Sequence, residues 1–214
     1  MPRFKAHDLE KVREAVKKFE GATRGELVPL VVPSSANYDW VPYKCGFFGF
    51  VFAFASAEVW AILRSWPLDV FELTTVSVLG SILGFGLGWV PWVARRVIGR
   101  SRLAESVHQR ALSEFTEHGC GHTRERIGVL VMVSLFEHRI EIITDKGIET
   151  VVRAKEGPEV WSRITAEFSR TAASGQVVEG LVTVIRQVGE IIVKFFPTEG
   201  ARENELSDEL RTEE

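Results

Sequence analysis

The sequence predicts an α/β protein whose small mixed sheet, packed with helices, is interrupted by a two-span transmembrane helical hairpin. Two long apolar runs lie in the first half of a chain that carries 26% charged residues overall. One strand pattern precedes these runs and two follow them, and apolar residues at helical spacing mark further segments on both sides. We therefore expect an α/β body that is split in sequence by a membrane anchor.

The two apolar runs are long enough to cross a membrane. Residues 45–63 contain a single charged side chain in 19 positions, and residues 73–94 contain none in 22, whereas the hydrocarbon core requires roughly 20. Buried helices of a soluble protein normally keep a polar stripe, which neither run has. The short connector between the runs favours an antiparallel hairpin with both flanks on one side.

The charges around the runs predict the orientation of the hairpin. The connector offers Arg64 against Asp69 and Glu72, whereas the outer flanks of the runs are basic. Since basic flanks stay in the cytoplasm, we expect both termini and the α/β domain to be cytoplasmic. The basic flanking residues are Lys44, Arg95, Arg96, Arg100 and Arg102.

The formal net charge of −3 gives no reason to expect a nucleic-acid partner.

Small residues recur at every fourth position on one face of each run, a spacing that lets helix backbones approach closely in lipid. These membrane-packing candidates are Gly49, Ala53 and Ala57 in the first run and Gly80, Gly84 and Gly88 in the second. The favoured interpretation is packing within the hairpin, and the alternative is a seam between copies in a homo-oligomer.

Glu58 is the one charged residue in the first run. Its side chain either reaches toward the nearby membrane–water interface or makes a functional polar contact.

Helix and strand patterns alternate in the rest of the chain. A helix is predicted over 8–21, capped by Asp8, and then a strand over 26–33, in which Pro29 favours an edge or bulged position. Later elements are a helix that follows the second run and is an extension of it in one interpretation, strands over 127–136 and 138–145, and helices from Pro158 and over 176–195. The predicted domains are 1–43 and 97–197 for the two parts of the α/β domain, 44–96 for the hairpin and 198–214 for an acidic disordered tail.

Three carboxylates are candidate catalytic residues in an acidic cleft at the strand ends. They are Glu26, Asp145 and Glu149. Such carboxylates can hold Mg²⁺ or Ca²⁺, which prefer oxygen ligands, and a bound metal can polarise a phosphate. In the alternative interpretation, Gly25 and Gly147 are turn residues, and the acids are solvated or paired with Arg24 and Lys146.

The loop "HGCGHT" offers a second candidate metal site. His118, Cys120 and His122 supply nitrogen and sulfur ligands at every second position, and zinc or copper accepts such groups. The spacing matches no usual zinc-finger pattern. The alternative is a chance cluster in the connector between a helix and a strand.

Four segments carry a resemblance to a known family. They are "ATRGELVPLVV" at 22–32, "TRERIGVLVMVSLFEHRIEIITDKGIE" at 123–149, "GLVTVIRQVGEIIVKFFP" at 180–197 and "NEL" at 204–206. Together they resemble the TPM domain family, named for its thylakoid, photosystem-repair and acetylcholine-receptor accessory members. The resemblance covers nearly the whole chain, and the block that ends in "DKGIE" is its most specific part. The hairpin after the first strand is similar to the bacterial membrane subgroup of that family.

The resemblance implies a three-layer α/β fold and a two-pass protein of the bacterial inner membrane. For some plant members it also implies phosphatase activity, which accompanies paired aspartates near the domain start and an acidic residue or Asn before the Gly128 position. Here those stretches read "FKAHDLEKV" and "RERI". We therefore expect an accessory or scaffolding factor that contacts lipid and a membrane protein or a second copy. The alternative is a weak metal-assisted phosphatase that uses the acidic cleft.

Overall fold

The computed structural model describes residues 6–65, 67–123, 125–198 and 211–212. The helices in these ranges are α1 (Ala6–Glu20), α2 (Trp40–Arg64), α3 (Val70–Gly88), α4 (Pro91–Ile98), α5 (Arg100–Glu117), α6 (Lys146–Glu156), α7 (Val160–Ala173) and α8 (Val177–Phe195). The strands are β1 (Glu26–Val32), β2 (Gly128–Ser134), β3 (Arg139–Thr144) and the two-residue β4 (Arg211–Thr212). The protein is thus mixed α/β and mostly helical.

The chain divides into two units, one formed by 1–36 with 104–214 and the other by 37–103. The first unit contains the sheet, and the second contains the two long apolar helices. The second unit extends beyond the predicted hairpin boundaries of 44–96 at both ends. The reason is that α2 already begins at Trp40 and that α4 follows α3 within the same unit.

The sheet of the first unit has the order β3-β2-β1-β4 and is mixed, as predicted. β1 runs parallel to β2, with Glu26 opposite Gly128, and β2 runs antiparallel to β3. β4 pairs in parallel with β1 at Leu30 and Val31. The N–H of Glu26 donates to the carbonyl of Ile127 at 3.0 Å, so the even-numbered residues of β1 form the ladder with β2.

Pro29 fits into β1 because of this alternation. As an odd-numbered residue, it has its imide nitrogen on the side of β1 that faces away from β2. The missing N–H therefore removes no hydrogen bond from the ladder between β1 and β2.

The two faces of the sheet carry separate apolar clusters, because successive side chains of a strand point to opposite sides. On one face, residues such as Leu27 and Val131 pack with buried residues of α1, α6, α7 and α8. On the other face, Leu30 and Met132 pack with Val107 of α5. The first unit therefore has three layers, and all seven residues of β2 are buried because β2 is covered on both faces.

The second unit is built on an antiparallel pair of helices, α2 and α3. Both are long and apolar enough to cross a membrane. In each helix, 11% of an apolar stretch of 18 residues is buried. Asp69 begins α3 with a capping box, in which its carboxylate accepts the N–H of Glu72 at 2.8 Å. The second predicted run is not one helix, because α3 ends at Gly88 and Pro91 starts α4. The interpretation that the following helix extends the second span is wrong, since Gly99, with φ +86°, also separates α4 from α5.

Some elements differ from the sequence-based expectation. α6 was not predicted, and Gly147 is a residue of its first turn rather than of a loop. The strand predicted over 127–136 ends at Ser134, because residues 135–138 form the turn into β3. α1 begins at Ala6, so Asp8 lies in its first turn and is not its N-cap. Most of the predicted disordered tail, including the "NEL" at 204–206, lies outside the described residues.

Candidate functional site

Two of the three candidate carboxylates lie in one row across the sheet. Glu26 is paired with Gly128 in the register of β1 and β2. On the other side of β2, the N–H of Asp145 donates to the carbonyl of Gly128 at 3.0 Å. Residues opposite each other in neighbouring strands point to the same face. The register therefore places the Glu26 and Asp145 side chains on the face covered by α5, with Gly128 between them.

The loop that follows α5 covers the centre of this row. A Cβ added to Gly128 would collide with the carbonyl oxygen of Cys120, so the backbone of the loop lies directly against Gly128. Glycine is required here because any side chain would displace that loop. The structure thus brings part of the "HGCGHT" loop to the two carboxylates, which the sequence analysis treated as separate candidate sites.

Both carboxylates of the row are buried. Glu26 is 4% exposed and Asp145 is 7% exposed. Asp145 caps α6, and its Oδ1 accepts the N–H of Lys146 at 2.6 Å. Its Oδ2 is buried and has no hydrogen-bond partner in the part of the chain that the structure describes. An oxygen in this state loses hydration without compensation, so Asp145 retains capacity to accept a hydrogen bond or a cation.

Glu149, the third candidate, is bonded to neighbouring side chains. Its carboxylate accepts hydrogen bonds from Thr144 Oγ1 and Trp161 Nε1, each at 3.0 Å, and forms an ion pair with Arg153. These contacts tie α6 to β3 and α7. Among the described residues, no group of three His, Cys, Asp or Glu side chains is arranged to hold a metal ion. The predicted trio of carboxylates therefore does not assemble as one cluster.

The three candidate ligands of the "HGCGHT" loop also have different environments. His118 Nε2 lies 3.1 Å from Glu114 Oε2 on the preceding turn of α5. Cys120 is fully buried in the apolar cluster between α5 and the sheet, whereas His122 is exposed. Gly119, with φ +71°, turns the chain out of α5 between His118 and Cys120.

Other acids at this end of the sheet are paired. Arg24, just before β1, forms an ion pair of 2.8 Å with Glu125, just before β2. Glu114, a buried acid that the sequence analysis did not single out, is also paired and lies 2.6 Å from Arg110. Arg110, Glu114 and His118, which follows the last residue of α5, are spaced by four residues, and this spacing is a signal that could have found it.

The predicted small-residue faces of the hairpin lie against each other. Added Cβ atoms at Gly49 and Gly80 would each collide with the carbonyl oxygen of the other residue. Gly80 also lies against Ala53, Gly84 against Cys45, and Gly88 against the Pro42 backbone. Ala57 is buried as well. Both faces are therefore used for packing within one chain, and Glu58 lies on the exposed surface of α2.

A groove that the sequence did not predict runs along β3. Its volume is about 400 Å³, and it is lined by residues of α5, β3, α6 and α7. His108 Nδ1 lies 2.8 Å from Glu141 Oε1, and both residues line the groove together with Trp161 and Ser162. β3, α6 and α7 follow one another in the chain, but α5 reaches the groove only through folding, so no local motif indicates it.

Comparison with known proteins gives a fold but no family. This chain matches no protein-family model, and no curated protein matches it. The NMR structure of the BA42 protein from the psychrophilic bacterium Bizionia argentinensis is similar, with a TM-score of 0.59, 17% sequence identity, and coverage of 99% of this chain and 97% of that one. At this identity the similarity concerns the fold alone.

Proposed function

We propose that this chain is an integral membrane protein of the TPM domain family, and that its α/β unit acts as an accessory or scaffolding factor for a membrane protein complex. The supporting observation is the exposed apolar surface of α2 and α3. A core helix of a soluble protein is mostly buried, whereas residues such as Phe52, Leu63 and Phe71 are each at least 75% exposed here. A continuous apolar surface of this kind requires a covering partner, and lipid is the partner that two spanning helices take.

The dimensions and polar groups of the hairpin support this proposal. The apolar part of α2 lies between Lys44 and Arg64 and is close to 20 residues long. A helix of 20 residues rises about 30 Å, which equals the thickness of the hydrocarbon core. In lipid, a backbone group or a hydroxyl that has no hydrogen-bond partner is costly. The hydroxyls of Thr74, Thr75 and Ser77 avoid this cost, because each donates at 2.7 Å to the carbonyl four residues earlier.

Fractionation and reporter fusions test the membrane proposal. We expect full-length protein expressed in bacteria to stay in the inner membrane after alkaline carbonate extraction. A fluorescent protein after Glu214 should be active in the cytoplasm, and alkaline phosphatase inserted at Pro67 in the connector should be active in the periplasm. Recovery of the chain in the soluble fraction, or activity of both reporters in the same compartment, would contradict it.

The groove along β3 supports the accessory role, since it combines an end strand of the sheet with the Trp161 ring and charged side chains. We expect a photo-crosslinking residue at Ser162, which is exposed in the groove, to give a discrete adduct with a membrane protein in intact cells. The matched control is Lys17, exposed on α1 and outside the groove. Equal adducts at both positions, or none at Ser162, would contradict a partner in the groove.

A metal-assisted phosphatase is the second candidate. The observation that favours it is the buried Asp145 Oδ2, which has no hydrogen-bond partner among the described residues and lies in the same row of the sheet as Glu26. These two carboxylates would hold Mg²⁺ or Ca²⁺, which complete their coordination with water; the bound ion would polarise a phosphate. We would then expect magnesium-dependent hydrolysis of p-nitrophenyl phosphate to be lost in Asp145→Asn, which keeps the helix cap, but not in the surface control Glu159→Gln. Equal hydrolysis by both variants would exclude this candidate.

A further inference from the structure

Charge is segregated along the hairpin unit. At the connector, Arg64 is accompanied by Asp69 and Glu72. The other end, where α2 begins and α3 ends, combines five basic side chains with one acid, Asp39. The basic side chains are Lys44, Arg95, Arg96, Arg100 and Arg102. We call this end, together with Trp40, the basic end.

The packing of the helices brings these residues together. Gly88, the last residue of α3, lies against the backbone of Pro42 in the first turn of α2. α4, which carries Arg95 and Arg96, contacts both α2 and α3. These two arginines therefore lie near the place where α2 begins and α3 ends. The exit from α3 and the entry into α2 therefore share one end of the hairpin.

Trp40 joins two cations from separate segments. Lys44 Nζ lies 5.4 Å and Arg102 Cζ 5.3 Å from the centroid of its indole ring. These distances are in the range of cation–π attraction, which offsets part of the repulsion between two positive groups. Trp40 thereby holds the start of α5 beside the start of α2.

α4 is a short helix whose two sides differ. It buries Ala94 and Ile98 and exposes Trp92 and Arg96, which are one turn apart on the same side. Tryptophan is favoured at the level of the headgroups, and basic residues on a short amphipathic helix attract anionic lipid. The exposed Tyr43 and Trp89 continue the apolar surface of the hairpin into the basic end.

We propose that the basic end binds the headgroup of an anionic phospholipid, phosphatidylglycerol. The inference rests on the proposed insertion of α2 and α3, which places this end at the headgroup level. Guanidinium groups bind phosphate oxygens in a bidentate manner. The adjoining apolar surface receives the acyl chains of the same lipid. Each basic residue near an anionic surface strengthens binding by about fivefold.

Native mass spectrometry of the full-length protein released from nanodiscs of equal phosphatidylglycerol and phosphatidylcholine tests the proposal. We expect wild-type protein to retain phosphatidylglycerol preferentially. The triple variant R95Q/R96Q/R102Q should lose that preference by at least about tenfold, since three charges are removed. Arg64→Gln, at the connector end, is the matched control and should change the preference less than about twofold, because it lies a membrane thickness away. The variant R95K/R96K/R102K should keep most of the preference.

Carbonate extraction of each variant separates this inference from the proposal on which it rests. If wild-type protein is integrated in the membrane but retains both lipids equally, the lipid site is refuted while membrane insertion stands. If Arg64→Gln lowers the preference as much as the triple variant, the basic end is not the site. If wild-type protein is not integrated at all, both the insertion and the lipid site are refuted.

Discussion

The carbonyl oxygen of Cys120 occupies the space in which a side chain at position 128 would lie. Gly128 is therefore the point at which the loop after α5 rests on the sheet, between the buried carboxylates of Glu26 and Asp145. This contact joins the "HGCGHT" loop to the row of carboxylates, which the sequence analysis treated as two separate candidate sites. It also explains why the first residue of β2 has no side chain.

Substitution of Gly128 by alanine should destabilise the α/β unit. The new methyl group meets a backbone atom, which cannot rotate away as a side chain could, so we expect the free energy of unfolding to fall by about 2–3 kcal/mol. Thermal unfolding in detergent micelles measures this loss. The control is Gly21→Ala, where an added Cβ meets nothing within 4 Å; a similar effect of both substitutions would contradict the prediction.

Valine at Gly49 or Gly80 should disrupt the hairpin, because each glycine permits contact with the backbone of the other helix. We expect a loss of about 1–3 kcal/mol or more, as for overpacked cores. Titration of the micellar protein with sodium dodecyl sulfate, followed by circular dichroism, gives this value. Gly86→Val, in the same helix but facing open space, should be tolerated. Equal sensitivity at Gly80 and Gly86 would mean that α2 and α3 do not pack through this face.

Removal of the Glu137 carboxylate should destabilise the turn between β2 and β3. Glu137 is 4% exposed, accepts the backbone N–H of Ser35 at 2.9 Å and is hydrogen-bonded to Ser134. Glu137→Ala leaves these donors without an acceptor, at a cost of about 1–3 kcal/mol. The exposed Glu190, which is paired with Arg186, is the control, and Glu190→Ala should cost less than about 1 kcal/mol. Chemical denaturation measures the free energy of unfolding of both variants. A smaller loss of stability in Glu137→Ala than in Glu190→Ala would refute the prediction.

Neutralisation of Glu58 should leave the hairpin intact. Glu58 is exposed on α2 and lies six residues, or about 9 Å of helix, from Arg64 at the connector. Glu58→Gln should therefore change stability by less than about 0.5 kcal/mol and leave integration unchanged. Its neighbour Ala57 is buried, and Ala57→Leu should be destabilising. A loss of membrane integration in Glu58→Gln alone would instead indicate a required polar contact.

Helices and strands with a regular apolar pattern were predictable from local sequence. β2 and β3 follow from a run of β-branched residues and from alternation, and α7 and α8 follow from helical spacing. α6 was missed because Gly147 near its start resembles a turn residue. The signal that could have identified it is the pair Ile148 and Val152, four residues apart and both fully buried, after the capping Asp145.

The candidate site was less predictable than the fold. Proximity in sequence grouped Asp145 with Glu149, yet the first is buried at the sheet and the second is bonded to Arg153, Thr144 and Trp161. Glu26 joins Asp145 through the register of three strands, which depends on pairing between distant segments. Local sequence does not contain that register.

The sequence by itself determined the class of the protein: a mixed α/β body and two apolar helices of spanning length, because periodicity and the absence of charge are local properties of the chain. Tertiary structure alone decided which polar groups meet. It placed Cys120 over Gly128, split the predicted carboxylates and formed the groove beside β3. The physical reason is that contacts between segments far apart in sequence are fixed by strand register and close packing, which act only once the chain is folded.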